Sequence, residues 1–404
     1  MKNAKNTEQL RRGHENRLSA GLMVLLAAAC GMVAANLYYS QTLVGPIGEA
    51  LGMPSGAAGL IVTITQIGYV VGLLFVVPLS DMLPNRRLIV SLLGFLVVSL
   101  AAASFAAGSF LFLAASLAIG LGAVVAQILV PFAAYLSAEE QRGRAVGNVM
   151  SGLLLGIMLA RPAASLIAGL WGWQAIYVLS AGLMALLAIV LGRLLPERRP
   201  AKSLSYGQLT ASLLALFRGT PPLRRRAFYQ ASLFGAFSLF WTTVPLRLAD
   251  EYGLSQQGIA LFALVGVAGA AAAPIAGRLA DRGRSRALTL GAIATAVLSF
   301  AAAALVHGRS HASLALLLLA AIALDMAVSG NLVVGQRAIY ALGHETRGRL
   351  NGLFMAIFFL GGAAGSFLGG WTYAHGGWAA AAWIGALLPF LALVYFMTES
   401  RPAA

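Results

Sequence analysis

Two side chains in this sequence stand where charge is expensive. Asp325 lies within the apolar run 312–340, and it is the one acid well inside any such run. Arg161 lies within the run 144–170, immediately before Pro162. An ionisable group at the centre of a bilayer costs about 2.5–3.5 kcal/mol on insertion scales, so its position alone makes each a functional candidate. A carboxyl group reached by water at a low-dielectric wall can load and release a proton. The other reading of Asp325 is a structural carboxylate locked to polar neighbours. Arg161 has three readings: it pairs with a carboxylate, attracts an anionic substrate, or donates to carbonyls freed where Pro162 loosens the helix.

Two further acids sit among arginines. Asp81 in Pro78-Leu79-Ser80-Asp81 precedes Arg86 and Arg87, and Asp281 in Gly277-Arg278-Leu279-Ala280-Asp281 is followed by Arg282, Arg284 and Arg286. A carboxylate paired with Arg, or placed at a neighbouring helix N-terminus, can act as a conformational latch. A solvated surface pair worth little is the alternative. Other chemistry has no footing. No Walker-type Gly-x-x-x-x-Gly-Lys is present, so no ATP motor is encoded. His14, His307, His311, His344 and His375 fall in tails or loops, and the i, i+4 pair His307/His311 has no acid or Cys nearby. No metal, no cofactor and no nucleophile–base constellation is expected, and the chain does not read as an enzyme.

The elements that carry these residues follow from composition. Of 404 residues, 59% are hydrophobic and 10% charged, whereas soluble domains are about 25% charged. So few polar side chains cannot cover a water-facing surface. Twelve runs are long enough to cross a bilayer as helices: 18–41, 56–80, 88–107, 110–136, 144–170, 173–195, 227–248, 256–280, 287–306, 312–340, 348–374 and 378–397. The first is too long for a signal-peptide core and lacks a clean cleavage site, so it reads as a retained helix. The 46 glycines suit close helix–helix contact in lipid. Cys30, alone in the sequence, excludes an intrachain disulfide.

The net charge of +15 is one-sided. With both termini and the even-numbered loops on the cytoplasmic side, 24 Lys and Arg lie there and only Arg247 and Arg309 lie opposite, with Arg161 and Arg337 inside spans. The positive-inside rule then orients the chain, and no nucleic-acid partner is needed to explain the charge. Arg142-Gly143-Arg144, Gly147, Met150, Gly156 and Gly172-Trp173 recur 205 residues later as Arg347-Gly348-Arg349, Gly352, Met355, Gly361 and Gly377-Trp378. The expected organisation is therefore a tail (1–17), a six-helix bundle (18–195), a basic linker (196–226), a second six-helix bundle (227–397) and a tail (398–404). Within the linker, Tyr206, Leu209, Leu213, Leu216 and Phe217 have helical spacing, which predicts either a short interfacial helix or a loosely ordered connection.

Six plus six spans, a long central loop and a charged signature after the second and eighth spans resemble the major facilitator superfamily. The signature Gly-x-Leu-Ala-Asp-Arg-x-Gly-Arg-Arg is closely matched by Gly277-Arg278-Leu279-Ala280-Asp281-Arg282-Gly283-Arg284. In the first copy Val77 and Pro84 replace both glycines. Asn36-Leu37-Tyr38-Tyr39-Ser40-Gln41, Asp325 with Gln336-Arg337-Ala338-Ile339-Tyr340, and Arg349-Leu350-Asn351 with Gly361-Gly362-Ala363-Ala364-Gly365-Ser366 resemble the bacterial twelve-span drug/proton antiporter and sugar-efflux-like branch. Departures are Gly335, where Asn is common, and Ser116, where many antiporters carry Arg.

The resemblance implies an all-α membrane protein with 12 transmembrane helices in two pseudo-symmetric halves. It also implies a cavity lined by the first, fourth, seventh and tenth spans. These offer Asn36, Tyr38, Tyr39 and Gln41; Gln127; Phe234, Phe237, Phe240 and Trp241; and Asn331 and Gln336, with Met355, Phe358 and Phe359 from the eleventh span. Arg161 joins them from the fifth. Rings with scattered amides suit an amphipathic organic molecule, including a cation held on ring faces. The implied function is proton-coupled efflux by alternating access, with Asp325 carrying the proton and Asp81, Arg86, Arg87, Asp281, Arg282 and Arg284 forming the latch. The alternatives are proton-coupled import of a sugar or organic acid, and a non-transporting membrane sensor. The expected setting is the bacterial inner membrane, with a small-molecule substrate, protons and lipid as partners and a monomeric state.

Overall fold

The computed structural model describes residues 19–138, 141–198, 205–305, 308–343 and 346–399. The tail 1–17, most of the tail 398–404, Arg199, Lys202, His14, His307 and His344 lie outside the described residues. Among the described residues every regular element is a helix: α1 (Ala20–Ala35), α2 (Val44–Ala50), α3 (Ser55–Asp81), α4 (Asn85–Ser104), α5 (Ser109–Leu136), α6 (Arg142–Trp171), α7 (Gln174–Leu194), α8 (Tyr206–Gly219), α9 (Pro221–Asp250), α10 (Gln256–Asp281), α11 (Ser285–Ala304), α12 (His311–Tyr340) and α13 (Arg347–Met397).

Nine of these, α3 to α7 and α10 to α13, are long and apolar enough to cross a membrane. At about 1.5 Å per residue, the 51 residues of α13 would greatly exceed a hydrocarbon core of about 30 Å. Gly377, at φ 64°, breaks the helix where the two expected spans 348–374 and 378–397 meet. The twelve-span reading adds that second limb, the 16-residue α1, and α9, whose first turns carry Pro221, Pro222 and Arg224 to Arg226. The first span ends earlier than its apolar run. Regular α-helix stops at Ala35, and residues 39–42 form a 3-10 turn, so Asn36, Tyr38, Tyr39 and Gln41 sit on irregular backbone.

Chain starts are fixed locally. The Ser19 hydroxyl accepts the Leu22 N–H at 3.2 Å at the head of α1, and Ser310 accepts the Ser313 N–H at 3.1 Å at the head of α12. Ser205 and Gln208 form a reciprocal capping box that starts α8. A helix occupies the part of the linker where the Tyr206–Phe217 spacing left a short helix and a loose connection both open.

Packing joins α1 to α6, α3 to α5, α4 to α7, α9 to α13, and α12 to α10 and α11. Glycine permits the tightest of these. A Cβ on Gly156 would fall inside contact distance of the Gly31 backbone, and one on Gly365 would do the same to Gly235. These are equivalent pairings, α1–α6 and α9–α13, and the repeated glycine Gly156 and its counterpart Gly361, whose Cβ would press on the Ala231 backbone, both serve them. The exterior is apolar: Phe110 is 87% exposed and Phe105 79%, side chains that lipid covers at little cost.

The two groups of helices meet along α3 and α13. A Cβ on Gly59 would lie 2.5 Å from the Ser366 carbonyl, and the Thr63 and Ser366 hydroxyls are 2.8 Å apart, which seals one end of the bundle. At the other end α8 lies across the gap. The Tyr206 hydroxyl donates to the Phe75 carbonyl of α3 at 2.9 Å, and Arg349 of α13 donates to the Ser212 hydroxyl at 2.9 Å.

Candidate functional site

The two intramembrane charges meet. Arg161 Nη2 on α6 lies 3.4 Å from Asp325 Oδ2 on α12, and the side chains are 1% and 3% exposed. The other carboxylate oxygen, Oδ1, accepts the Trp241 indole N–H of α9 at 2.9 Å. The Arg161 guanidinium sits over two rings, its Cζ 3.9 Å from the Trp241 centroid and 5.0 Å from that of Phe237. Taking two charges out of water is costly, and a close pair with additional partners offsets much of it. The indole N–H and the two ring faces are those partners. The carboxylate pairing open to Arg161 is present. The Arg161 carbonyl also accepts the Thr42 hydroxyl at 3.3 Å.

Neighbouring backbone must come close for this pair to form. A Cβ on Gly266 of α10 would lie 2.7 Å from Asp325 Oδ2 and 2.9 Å from Arg161 Nη2, and one on Gly269 would lie 3.2 Å from Asp325 Cβ. These glycines carry no chemistry of their own. Their role appears only once three helices are packed together.

The pair borders a central cavity. Tyr38, Gln127, Arg161, Phe237, Asp325 and Gln336, all candidates from the sequence, line it. Tyr69 of α3 lines it as well and was not among them. Its signal was present, since Gln66 and Tyr69 stand one turn apart in an otherwise apolar span. The apolar wall is an aromatic cluster. Phe234 stacks on Phe358 with centroids 3.9 Å apart, and Tyr69 meets Phe359 at 4.4 Å.

Other candidates are placed elsewhere. Asn36 is committed to structure: its Oδ1 accepts the Ser180 hydroxyl at 2.6 Å and its Nδ2 donates to the Met32 carbonyl at 2.9 Å. Tyr39 and Gln41 are buried away from the cavity wall. Trp241 lies behind Arg161 rather than on the wall. Asn331 donates to Gln230 Oε1 at 2.7 Å and faces a separate crevice among α10, α11 and α12. Gln230 was missed, because an amide on a long helix gives no hint in sequence of a partner about a hundred residues away.

The arginine-flanked acids divide. Asp281 pairs with Arg337 of α12, not with Arg282 or Arg284 beside it. Asp81 is exposed and forms no direct ion pair among the described residues, and Arg198 and Arg349 act on it only through longer-range charge. Arg86 instead donates to the Leu195 carbonyl at 3.5 Å. Arg349 comes from α13, so Asp81 feels a charge from the opposite group of helices. Among the described residues no group of three or more His, Cys, Asp or Glu is placed to hold a metal ion.

Helices of membrane-crossing length around a central cavity, with a buried ion pair between α6 and α12, define a polytopic membrane protein of transporter architecture. The chain matches the Major Facilitator Superfamily over residues 18–282 and again over 227–404, and it belongs to that family. It is 38% identical to an uncharacterized transporter, YgaY, of Escherichia coli O157:H7, over 94% of this chain and 95% of that protein. It is 28% identical to a chloramphenicol resistance protein of Streptomyces lividans, over 88% of this chain and 89% of that one. Among solved structures, a bacterial homolog of the human lysosomal transporter Spinster, inward-facing and unoccupied, shares the fold. Its TM-score is 0.72 at 14% identity, over 94% of this chain and 98% of the other. The protein is a multi-pass membrane transporter of the major facilitator fold.

Proposed function

We propose that this chain exports a small amphipathic organic molecule across the bacterial inner membrane in exchange for protons. The observation that carries this reading is the buried Arg161–Asp325 pair on the wall of the central cavity. The names of several relatives support the direction of transport, among them chloramphenicol efflux pumps and a probable sugar efflux transporter.

The physical logic is a switch shared by two sites. Ionised Asp325 holds Arg161 and so ties α6 to α12. A proton on Asp325 removes the carboxylate's charge and leaves the guanidinium without its counterion in a low-dielectric setting, a costly state. Rearrangement of the two helix bundles, 18–195 and 227–397, relieves it, and water reaching the carboxyl from the other side takes the proton away. Alternating access then follows from the same residue being exposed in turn to each side. Asp281 with Arg337, and Asp81 with Arg198 and Arg349, serve as the latch at the end of the bundle where α8 lies. The arginine bias supports a cytoplasmic location for that end and for both termini. The working unit is a monomer.

The test uses everted membrane vesicles with an imposed pH gradient. Addition of chloramphenicol, or of members of a lipophilic panel, is expected to dissipate the gradient in vesicles carrying this chain, and Asp325→Asn is expected to abolish the effect. A chain that neither moves protons with any member of the panel nor changes with Asp325→Asn is a sensor or scaffold, and the exporter reading falls.

A further inference from the structure

We infer that the ligand of the central cavity is an uncharged aromatic molecule that presents an oxygen acceptor to Arg161, and that organic cations are excluded. This deepens the export reading and rests on it for the identity of the site. It follows from counting what the buried groups have left to give.

Begin with the acid. Both oxygens of Asp325 already accept a hydrogen bond, Oδ1 from Trp241 and Oδ2 from Arg161. The nearest ring faces are taken as well, because the Arg161 guanidinium occupies those of Trp241 and Phe237. A cationic ligand needs a carboxylate or a free ring face. Beside Asp325 the protein's own arginine holds both, and a second cation there would meet its charge.

The spare capacity has the opposite sense. Arg161 is 1% exposed, lines the cavity, and its Nε and Nη1 have no hydrogen-bond partner among the described residues. A guanidinium carries five N–H donors and no acceptor. Buried donors without partners are costly, so an oxygen that a ligand brings to them as the guanidinium turns toward the cavity relieves that cost. The net charge of the ion pair is zero. An anionic ligand would add an uncompensated negative charge beside Asp325, and an uncharged carbonyl, amide or nitro oxygen adds none. Tyr69, Phe358 and Phe359 supply a wall for an aromatic body.

The experiment compares three probes that share one ring system: 1-naphthylacetamide, 1-naphthylacetate and (1-naphthylmethyl)trimethylammonium. Binding to the purified full chain is measured by calorimetry, with no transport step involved. The amide is expected to bind at least tenfold more tightly than either ion. Arg161→Lys, which keeps a cation for Asp325 but removes the Nε and Nη1 donors, is expected to weaken the amide at least tenfold. Ammonium binding equal to or tighter than the amide overturns the assignment, and so does an amide affinity unchanged in Arg161→Lys. The wild-type ranking stands without any variant, should Arg161→Lys fail to fold. Tight amide binding without proton flux in vesicles would count against the export reading alone.

Discussion

Arg161 and Asp325 are separated by 164 positions in sequence and by 3.4 Å in space, and both are shielded from solvent. They tie α6 of the first group of helices to α12 of the second. A pair in this setting is not valuable because two charges attract. Its value lies in what happens when one is removed, since the other is then left buried and uncompensated.

That asymmetry predicts a double-mutant cycle. Arg161→Met alone and Asp325→Asn alone are each expected to destabilise the protein by about 3–5 kcal/mol, the usual cost of orphaning a buried charge. The double variant replaces the pair with groups of similar volume and is expected to recover most of the loss. Thermal denaturation of the four proteins in one detergent reads this directly. A double variant as unstable as the sum of the single effects would mean that the two residues act independently.

Gly266 offers a way to disturb the pair without touching either charge. Gly to Ala within a helix ordinarily stabilises by about 0.5–1 kcal/mol. Here the added methyl would meet Asp325 Oδ2 at 2.7 Å and Arg161 Nη2 at 2.9 Å. Gly266→Ala is expected to slow substrate-dependent proton movement several-fold in everted vesicles, and Gly266→Val to abolish it. Wild-type rates in Gly266→Val would show that the close approach of α10 does not govern the pair.

The symmetric helix pairings make a prediction about folding. Gly156 meets the Gly31 backbone and Gly365 meets that of Gly235, whereas an added Cβ at Gly94 or Gly182 has open space. Gly156→Ala and Gly365→Ala are expected to reduce the yield of monodisperse protein and to lower its melting temperature. Gly94→Ala and Gly182→Ala are expected to leave both unchanged or slightly improved. Equal behaviour of the four variants would remove the distinction.

Much of this architecture was legible before any coordinates. The run lengths placed the crossing helices within a few residues, because apolar length is the dominant constraint on a helix in lipid. Asp325 and Arg161 were each conspicuous, because position alone makes a charge in such a run expensive. Their pairing was not legible, since nothing in helical periodicity relates α6 to α12. Asp281 shows the same limit: local spacing pointed to Arg282 and Arg284, and tertiary packing delivers Arg337 instead. Hydrophobicity continues past Ala35 while the regular α-helix does not, so apolar length alone overruns the first helix. Asn36 there spends its amide on Ser180 and on the Met32 carbonyl.

The α8 helix supplies the last prediction. It is joined to α3 by the Tyr206–Phe75 bond and to α13 by the Arg349–Ser212 bond, so it spans helices that the alternating-access reading requires to separate. Each bond is exposed or half-buried, and its loss costs only about 0.5–1.5 kcal/mol, or about a two- to twelvefold shift in an equilibrium constant. Tyr206→Phe with Ser212→Ala is therefore expected to leave the melting temperature nearly unchanged while opening this end of the bundle more often. Because Cys30 is the one native cysteine and is buried, a reporter cysteine can be read cleanly. With Gln336→Cys on the cavity wall as the reporter, maleimide labelling is expected to accelerate severalfold in the double variant. An unchanged labelling rate would mean that α8 rests on the bundle without restraining it.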